Sequence, residues 1–393
     1  MPPGYNDDFE VSTKDMEFTL TEDQEMIRDS AREFADRALR PHAARRDAEE
    51  AFPLEAIEEA AENGFLGLTV PEEFGGAGLG NLHAAILLEE LNAADASVGV
   101  TISVHMSLVC SMLAKHATQA QKEKYLPRLA TGELIGAYCL TEPQAGSDAA
   151  ALRASARKVD GGWVLNGTKS WITTGTHAGL FVVYAVTDPE AKKGYGISAF
   201  LVEKAFDGVT VGKKEEKLGI RASSTTEILL EDVMVPEENL VGEMTGGFMI
   251  ALDTLDGGRI GIGAQAVGIH RACLEASIKY SREREQFGTT IDRFQAIAFK
   301  LADMATELDA ARLLVHRAAW LRDAGEPSTK ACSMAKLYAS MACNRAAQDA
   351  VQIHGGAGYT KEFPVERFYR DARITEIYEG ATDVQRIVIS RNL

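Results

Sequence analysis

A single glutamate near the end of the chain has the surroundings of a general base. Glu379 lies in the run Ile377-Tyr378-Glu379-Gly380, and a helix-like apolar run follows at 384–389. A carboxylate in apolar surroundings loses hydration of its charged form, so its pKa rises toward neutrality. Proton abstraction near pH 7 requires such a pKa. The plain alternative is a glutamate near a helix start, where the helix dipole favours negative charge.

Two glycine-rich runs could approach a phosphate group closely. The run at 75–80 contains no G-x-G-x-x-G pattern and follows a helical segment rather than a strand, so we interpret it as a helix–helix loop. The run at 354–358 lies between helical segments of the C-terminal third. Its glycines either end a helix or let the backbone approach a phosphate or an adenosine, and the residues leave both interpretations open.

The helices and strands that must position these residues fall into three segments, which differ in the spacing of their apolar residues. Residues 20–135 are helical in pattern, beginning with a capping box in which Thr21 is the N-cap and Gln24 reaches back. Residues 136–240 are strand-like, with turns predicted at 160–162 and 166–167, and they lack the helices of a βαβ fold. Helical patterns return after residue 246 and predict a bundle.

These patterns predict an α+β protein of three domains. The predicted domains are an N-terminal helical domain at 1–135, a middle antiparallel β-domain at 136–245 and a C-terminal four-helix bundle at 246–393. Within the bundle, apolar residues at 301, 304, 308, 311 and 315 form one face of a long helix.

Composition restricts the classes of function. The chain of 393 residues is 46% hydrophobic and 25% charged, and its formal net charge is -17, which disfavours nucleic acids and anionic membranes. The start, Met1–Asp8, lacks the basic and apolar regions of a signal peptide, and no apolar run is judged long enough to span a bilayer. Five cysteines without a C-x-x-C pair favour a reduced, cytoplasmic protein without a metal site.

Six short blocks follow one another along the chain. They are YCLTEPQAGSD at 138–148, WIT at 171–173, REREQFG at 282–288, FQ at 294–295, QIHGG at 352–356 and YEG at 378–380. Each block alone is weak, but in this order on a helix–strand–helix chain they resemble the acyl-CoA dehydrogenases. The resemblance covers about residues 18–391, and it is closest to the short-chain, butyryl-CoA-oxidising members.

The resemblance implies that FAD lies between the β-domain and the C-terminal bundle. The Thr141 hydroxyl would contact the isoalloxazine ring, Trp171 would stack on one face of it, and Thr173 would hydrogen-bond near the reactive ring nitrogen. In isolation, a turn threonine and a core tryptophan are the simpler interpretations. The implied cofactor contacts are Tyr138, Leu140, Thr141, Gly146, Ser147, Trp171, Ile172, Thr173, Arg284, Phe287, Gln295, Gln352, Gly355, Gly356, Gly380, Thr382 and Asp383.

The resemblance also implies an assembly. In the family, the residues at Arg284, Phe287 and Gln295 reach FAD across a subunit contact, and 352–356 serves the adenosine and pyrophosphate end. A homotetramer, built as a dimer of dimers, is therefore expected. For Arg284 alone, a solvated helix charge is the simpler interpretation. Most relatives have Thr directly after the glycine that follows the base, whereas here Ala381 stands there and Thr382 follows.

On the substrate side, the resemblance implies an acyl-CoA thioester. Glu379 would take the α-proton while the β-hydrogen passes to the flavin, giving a trans-2-enoyl-CoA, and electrons would then pass singly to an electron-transfer flavoprotein. Some branched-chain and long-chain relatives carry the base at the position of Gly258, where glycine cannot act. Asp256 and Arg259 have a surface ion pair as their alternative. The implied substrate contacts are Ser147, Asp256, Gly258, Arg259, Tyr378, Gly380 and Arg391.

Other members of this fold group have less support. A DNA-binding relative would need a basic surface, and flavin monooxygenases lack the carboxylate at Glu379. Nitroalkane-oxidising relatives use Asp there, and acyl-CoA oxidases pass electrons to oxygen and usually have a longer C-terminal part. Medium-chain or branched-chain dehydrogenation and a non-catalytic flavin-binding scaffold stay as alternatives.

Overall fold

The computed structural model describes residues 18–393. The acidic start Met1–Asp8, interpreted above as not being a signal peptide, lies outside the described residues. The predicted capping box is confirmed, because Gln24 N donates to Thr21 Oγ1 and Thr21 N donates to Gln24 Oε1. The N-terminal helices are α1 (Glu22–Phe34), α2 (Ala43–Glu49), α3 (Leu54–Glu62), α4 (Asn81–Ala94), α5 (Ala96–Ser103), α6 (Ser111–His116) and α7 (Gln119–Ala130).

Two π-helical segments interrupt this helical part, at Ala35–Leu39 and Val104–Cys110. The second joins α5 to α6 and gives a continuous segment, Ala96–His116, of 21 residues and mean hydropathy 1.6. By length and composition alone, this helical segment could span a bilayer, so the prediction that no apolar run is long enough was wrong. In this fold, 89% of its most apolar window is buried inside the protein, where it packs as a core helix.

The middle part of the chain forms one eight-stranded sheet. Its order is β6-β7-β3-β2-β4-β5-β8, with β1 added beside β4. The strands are β1 (Gly136–Cys139), β2 (Ser155–Val159), β3 (Gly162–Thr173), β4 (Leu180–Val186), β5 (Ile197–Glu203), β6 (Val209–Lys214), β7 (Thr225–Pro236) and β8 (Leu240–Val241).

Three details of this sheet differ from the prediction. The β1–β4 pair is parallel, which the long connection through the β2–β3 hairpin allows, and Ser155 of β2 also pairs parallel with β4. The expected turn at 166–167 is a bulge inside β3, where Gly167 has φ 148°. The strands β4 and β5 are buried on both faces, so they are continuous apolar runs without a period of two.

The C-terminal part is the predicted helical bundle. Helix α8 (Gly247–Glu283) packs against α9 (Gln295–Asp323), α10 (Thr329–His354) and the shorter α11 (Val365–Arg373), and α12 (Thr382–Arg391) crosses α10. A small hairpin of β9 (Glu285–Gln286) and β10 (Thr289–Thr290) joins α8 to α9. Helix α4 also packs on α8, so one apolar core connects the two helical parts.

Candidate active site

Glu379 stands on a strained turn between α11 and α12. Its φ is 49°, a left-handed conformation that costs a non-glycine residue energy, and Gly380 follows with φ 94°. The turn is held because Lys336 Nζ and Gln385 Nε2 both donate to the Gly380 carbonyl, at 2.7 and 2.8 Å. Thr382 Oγ1 donates to the Glu376 carbonyl at 3.1 Å, so its hydroxyl hydrogen is used within the turn.

The Glu379 carboxylate points into the protein and has no partner there. Both of its oxygens are buried, and neither has a hydrogen-bond partner within residues 18–393. Burial raises the pKa of Glu379 to about 8, against the opposing charges of Lys336 and Arg259. The carboxylate lies directly against Gly258 of α8, where an added Cβ would stand 2.3 Å from Glu379 Oε2. This geometry gives a carboxylate with free acceptor atoms and a pKa suited to proton abstraction near neutral pH.

A buried ion pair flanks the glycine pair Gly257-Gly258 of α8. Arg259 donates to Asp256 Oδ1 at 2.5 Å and to Ser333 Oγ of α10 at 3.3 Å, and Thr329 Oγ1 donates to Asp256 Oδ2 at 2.5 Å. Both members of the pair are buried, so the surface-pair interpretation is wrong. The arginine places a positive charge on the α8 side of Glu379.

Two tyrosines lie beside the Glu379 carboxylate. The Tyr378 hydroxyl donates to Gln265 Oε1 of α8, and Gln265 Nε2 donates to the Ala96 carbonyl at 3.3 Å. Tyr138 of β1 approaches from the sheet, and burial, with a contribution from the Glu379 charge, holds its pKa well above the ordinary value. Burial also holds the pKa of Tyr378 well above its ordinary value, so both side chains remain neutral beside the carboxylate.

A buried ion pair joins the first two sequence blocks. Lys169 Nζ of β3 donates to Glu142 Oε1 at 2.7 Å and to the Leu140 carbonyl at 3.3 Å, and Ser170 N donates to the Thr141 carbonyl at 2.9 Å. Glu142 also accepts from the main chain at Arg153 and Ala154. The loop after β1 is thereby fixed against β3 beside Trp171.

Trp171 lies at a bulge that turns it out of the sheet. The pairing of β3 with β7 shifts between Lys169 and Ile172, Trp171 has φ 61°, and its side chain is 62% exposed. Ile172 is buried in the sheet core, so only its main chain is available to a ligand, and Thr173 is half-buried. An exposed indole beside an ordered loop offers a flat stacking surface.

A cavity of about 430 Å³ brings two distant blocks together. Arg284, at the end of α8, lines it with Gly355 and Gly356, which follow α10. Gly355 ends α10 with φ 60°, so the interpretation of 354–358 as a helix end is confirmed. The approach of this backbone to a phosphate or an adenosine stays a prediction, which the place of both glycines in the cavity wall supports. Tyr280 and His354 stack at 4.2 Å beside it.

The remaining predicted site residues lie on the surface of the chain. Phe287 is 95% exposed, and Asp383 is exposed and paired with Arg386 at 2.7 Å. Neither side chain forms a hydrogen bond with the Glu379 carboxylate within residues 18–393. The others at the surface are Gly146, Ser147, Gln295, Gln352 and Arg391.

Sequence reasoning missed the two buried lysines of this site. Lys336 carries a signal in its spacing, since Cys332, Lys336, Ala339 and Cys343 all lie on the buried face of α10. A lysine at a core position of such a face needs a partner. Lys169 lies within an apolar strand just before Trp171, but its partner Glu142 stands 27 positions earlier in the chain, so only the fold pairs them.

Comparison with known protein families accounts for nearly all of this chain. Descriptions of the N-terminal, middle and C-terminal domains of acyl-CoA dehydrogenase match residues 21–133, 137–233 and 245–393. The chain belongs to the acyl-CoA dehydrogenase family. It is 48% identical over 375 residues to the short-chain specific acyl-CoA dehydrogenase of Clostridium acetobutylicum, which covers 95% of this chain and 99% of that protein.

Solved structures of the acyl-CoA dehydrogenase fold confirm the architecture. Butyryl-CoA dehydrogenase from Megasphaera elsdenii matches with a TM-score of 0.94 and 43% identity, over 96% of this chain and 99% of its own. A chain solved in a study of the electron transferring flavoprotein of Acidaminococcus fermentans matches with a TM-score of 0.95 and 47% identity. The match covers 96% of this chain and 99% of that chain.

The residues present fit the FAD on which the family depends. Arg284 and the main chain of Gly355 and Gly356 line a cavity with room for a phosphate-bearing group. The exposed Trp171 and the loop held by Glu142 offer a surface for a planar ring. In the part of the chain that is described, no group of three or more His, Cys, Asp or Glu side chains could hold a metal ion.

Proposed function

We propose that this protein oxidises the α,β-bond of a short-chain acyl-CoA to a trans-2-enoyl-CoA, with Glu379 as the base. The observation that carries the proposal is the Glu379 carboxylate, buried, without a hydrogen-bond partner and pressed against Gly258. A carboxylate without a structural partner costs stability, so its presence indicates a functional role.

The roles of the chain's own residues follow from their positions. Glu379 holds a free oxygen ready for the substrate α-proton, and the turn held by Lys336 and Gln385 fixes its direction. Gly258 has no side chain, so α8 leaves room for the Glu379 carboxylate. The hydrogen bond from Tyr378 to Gln265 limits movement of the residue directly before Glu379. Burial of these groups excludes water from the proton that moves.

We propose that two separate parts of the chain contribute to FAD binding. The loop at 138–147 and the block at 171–173 would hold its ring, and Arg284 with Gln352, Gly355 and Gly356 of a neighbouring copy of the chain would hold its phosphates and adenosine. When bound, FAD accepts the β-hydrogen with its two electrons. The remaining proposed contacts are Phe287, Gln295, Gly380, Thr382 and Asp383.

The proposed substrate contacts differ in their exposure. Ser147 and Arg391 are exposed and free to meet the CoA portion of a thioester. Asp256 and Arg259 are buried and bound to each other, which supports a role in placing α8 beside the base. Identity to the short-chain specific and butyryl-CoA enzymes supports a short acyl chain. Medium-chain or branched-chain oxidation, or a non-catalytic role, is the alternative that the substrate test below separates.

The partners and setting are part of the same proposal. Electron-transfer flavoprotein is the proposed acceptor, supported by the likeness to the Acidaminococcus fermentans chain. A cytoplasmic location in fatty-acid β-oxidation agrees with five free, buried cysteines. The division into domains at 1–135, 136–245 and 246–393 is proposed on the change from helices to strands and back.

Anaerobic addition of acyl-CoA tests the function directly. We expect purified protein to hold about one FAD per chain and its flavin absorbance to bleach on adding butyryl-CoA, because Glu379 and the flavin act on one bond. A panel from C4 to C16, with branched chains, assayed with a dye acceptor should peak at C4. A peak at C12 or longer would contradict the short-chain assignment, and an unbleached flavin with every substrate would favour a scaffold.

The tetramer has a test of its own. Phe287 is 95% exposed and Tyr359 is 90% exposed, and both lie next to residues that line the Arg284 cavity, so a second copy of the chain would cover them. We expect light scattering to give about four times the chain mass of 42.5 kDa. Phe287→Ser should yield smaller species that lose FAD, whereas Tyr195→Ser, at another exposed aromatic, should not. A wild-type mass of one chain with FAD bound would contradict the assembly.

A further inference from the structure

Lys336 is a buried lysine in the middle of α10, and within residues 18–393 its one hydrogen bond leads to the active-site turn. Its side chain has an exposed fraction of 0%, and Nζ donates to the Gly380 carbonyl at 2.7 Å. Gly380 directly follows the base, and its φ of 94° sets the direction in which the chain leaves Glu379. This bond ties the buried face of α10 to the residue after the proposed base, at the carbonyl that Gln385 also binds.

The ammonium group lies near the carboxylate without binding it. No ion pair joins Lys336 to Glu379 among the described residues, and both Glu379 oxygens have no partner. A direct bond would occupy an oxygen that must accept the substrate proton. Attachment through the backbone carbonyl supplies a positive charge beside the carboxylate and leaves its oxygens free.

Charged and titratable groups face this pair from every neighbouring element. Arg259 approaches from α8, Tyr138 from β1, and Glu376 and Tyr378 from the segment that carries the base. Burial lowers the pKa of Lys336 to about 8, and the Glu379 and Glu376 charges oppose that shift while Arg259 adds to it. Of the charges that lower the Glu379 pKa against burial, Lys336 contributes most.

We propose that Lys336 is a positioning residue for this reaction: its ammonium group fixes the Glu379–Gly380 turn and supplies a positive charge that favours the ionised form of the buried Glu379 carboxyl group. The chemical step rests on the proposed function, but the effect on Glu379 ionisation does not. Removing the charge raises the Glu379 pKa further above its ordinary range, because burial then acts with only Arg259 to oppose it.

The pH dependence follows from the direction in which the Glu379 pKa moves. The wild-type rate of flavin reduction should rise with pH through about 8, as Glu379 loses its proton. The pKa of Lys336 is also about 8, so its charge favours ionised Glu379 below that pH and fades above it. In Lys336→Met the rise should move upward by about one pH unit or more. If the Glu379 pKa lies one pH unit higher, the ionised fraction at pH 7 falls about tenfold, while the two rates converge at high pH.

Two measurements on the FAD-bound protein test the inference. Stopped-flow reduction of the flavin by butyryl-CoA is followed anaerobically against pH for wild type, Lys336→Met, Lys336→Gln and Lys336→Arg. Infrared difference spectroscopy follows the protonated carboxyl stretch of Glu379 without substrate, with Glu379→Gln as the reference. Lys330→Met, on the same helix but with no bond to the turn, is the matched control.

The outcomes are distinct. We expect both neutral variants to raise the infrared midpoint, Lys336→Arg to return it toward wild type, and Lys330→Met to leave it unchanged. A uniform loss of rate at every pH, with an unshifted infrared midpoint, would show a purely structural role and overturn the proposal. If Lys336→Met does not fold, Lys336→Gln gives the same decision. A wild-type flavin that butyryl-CoA does not reduce refutes the proposed function, and the infrared titration still decides the role of Lys336.

Discussion

Glu379→Gln should abolish almost all flavin reduction while leaving the fold, FAD and acyl-CoA binding intact. The amide has the shape of the carboxylate but cannot accept the α-proton at neutral pH. Loss of a general base costs roughly 10²–10⁴-fold in rate, and the weak acidity of a C–H bond places this case at the upper end. Because neither carboxylate oxygen has a partner in the described chain, the substitution breaks no hydrogen bond of the fold.

Stopped-flow bleaching by butyryl-CoA measures the effect, with flavin content and thermal midpoint recorded on the same samples. Glu275→Gln, an exposed glutamate on α8, is the control for the chemical change itself. A rate for Glu379→Gln within about tenfold of wild type would refute the base assignment, since base loss costs more than that. A structural role would show the opposite pattern, with FAD or stability lost and little specific effect on the chemical step.

The same pocket permits a test by relocation. A side chain at Gly258 would begin 2.3 Å from Glu379 Oε2 and 2.7 Å from Leu108 Cδ2. Glu379→Gln combined with Gly258→Glu therefore brings a carboxylate to the region that the original one occupied. Only partial recovery of flavin reduction is expected, because the side chains of residue 379 and Leu108 must move aside for the new carboxylate to reach the α-carbon.

The sequence predicted the parts of this protein that local patterns encode. The capping box at Thr21, the apolar face of α9 and the strand runs all follow from spacing between near neighbours. The proposal of Glu379 as the base follows from its type and neighbours together with the order of six blocks. The parallel pairing of β1 with β4 did not, because a register between distant strands depends on the path of the chain between them.

The long-range contacts of the site were outside the reach of sequence. Lys336 and Gly380 are 44 residues apart, and Glu142 and Lys169 are 27 apart. The ion pair of Asp256 and Arg259 has an i,i+3 spacing that fits a surface pair equally well, and only the packing of α10 over it shows its burial. The apolar character of Ala96–His116 was missed because Ser, Thr and His residues at 97, 101, 103, 105, 107 and 111 interrupt its apolar run.

Gly258→Ala should lower flavin reduction about a hundredfold, because misplacing a catalytic group by about 1 Å costs that much. An added Cβ would stand 2.3 Å from Glu379 Oε2, a distance that the carboxylate must relieve by moving. The turn cannot follow freely, since the Gly380 carbonyl is bound to both Lys336 and Gln385. The carboxylate is therefore expected to rotate out of line with the α-proton.

Gly257→Ala is the matched control, one residue earlier on the same buried helix. An added Cβ there meets nothing closer than Arg322 Nε at 3.6 Å, an ordinary contact. Replacing glycine by alanine inside a helix stabilises it by about 0.5–1 kcal/mol, so this variant should melt no lower than wild type and keep its rate. The comparison separates the helix effect, which both variants share, from contact with the base, which only Gly258→Ala makes. If the two variants reduced flavin at equal rates, the space at Gly258 would not control the position of the Glu379 carboxylate.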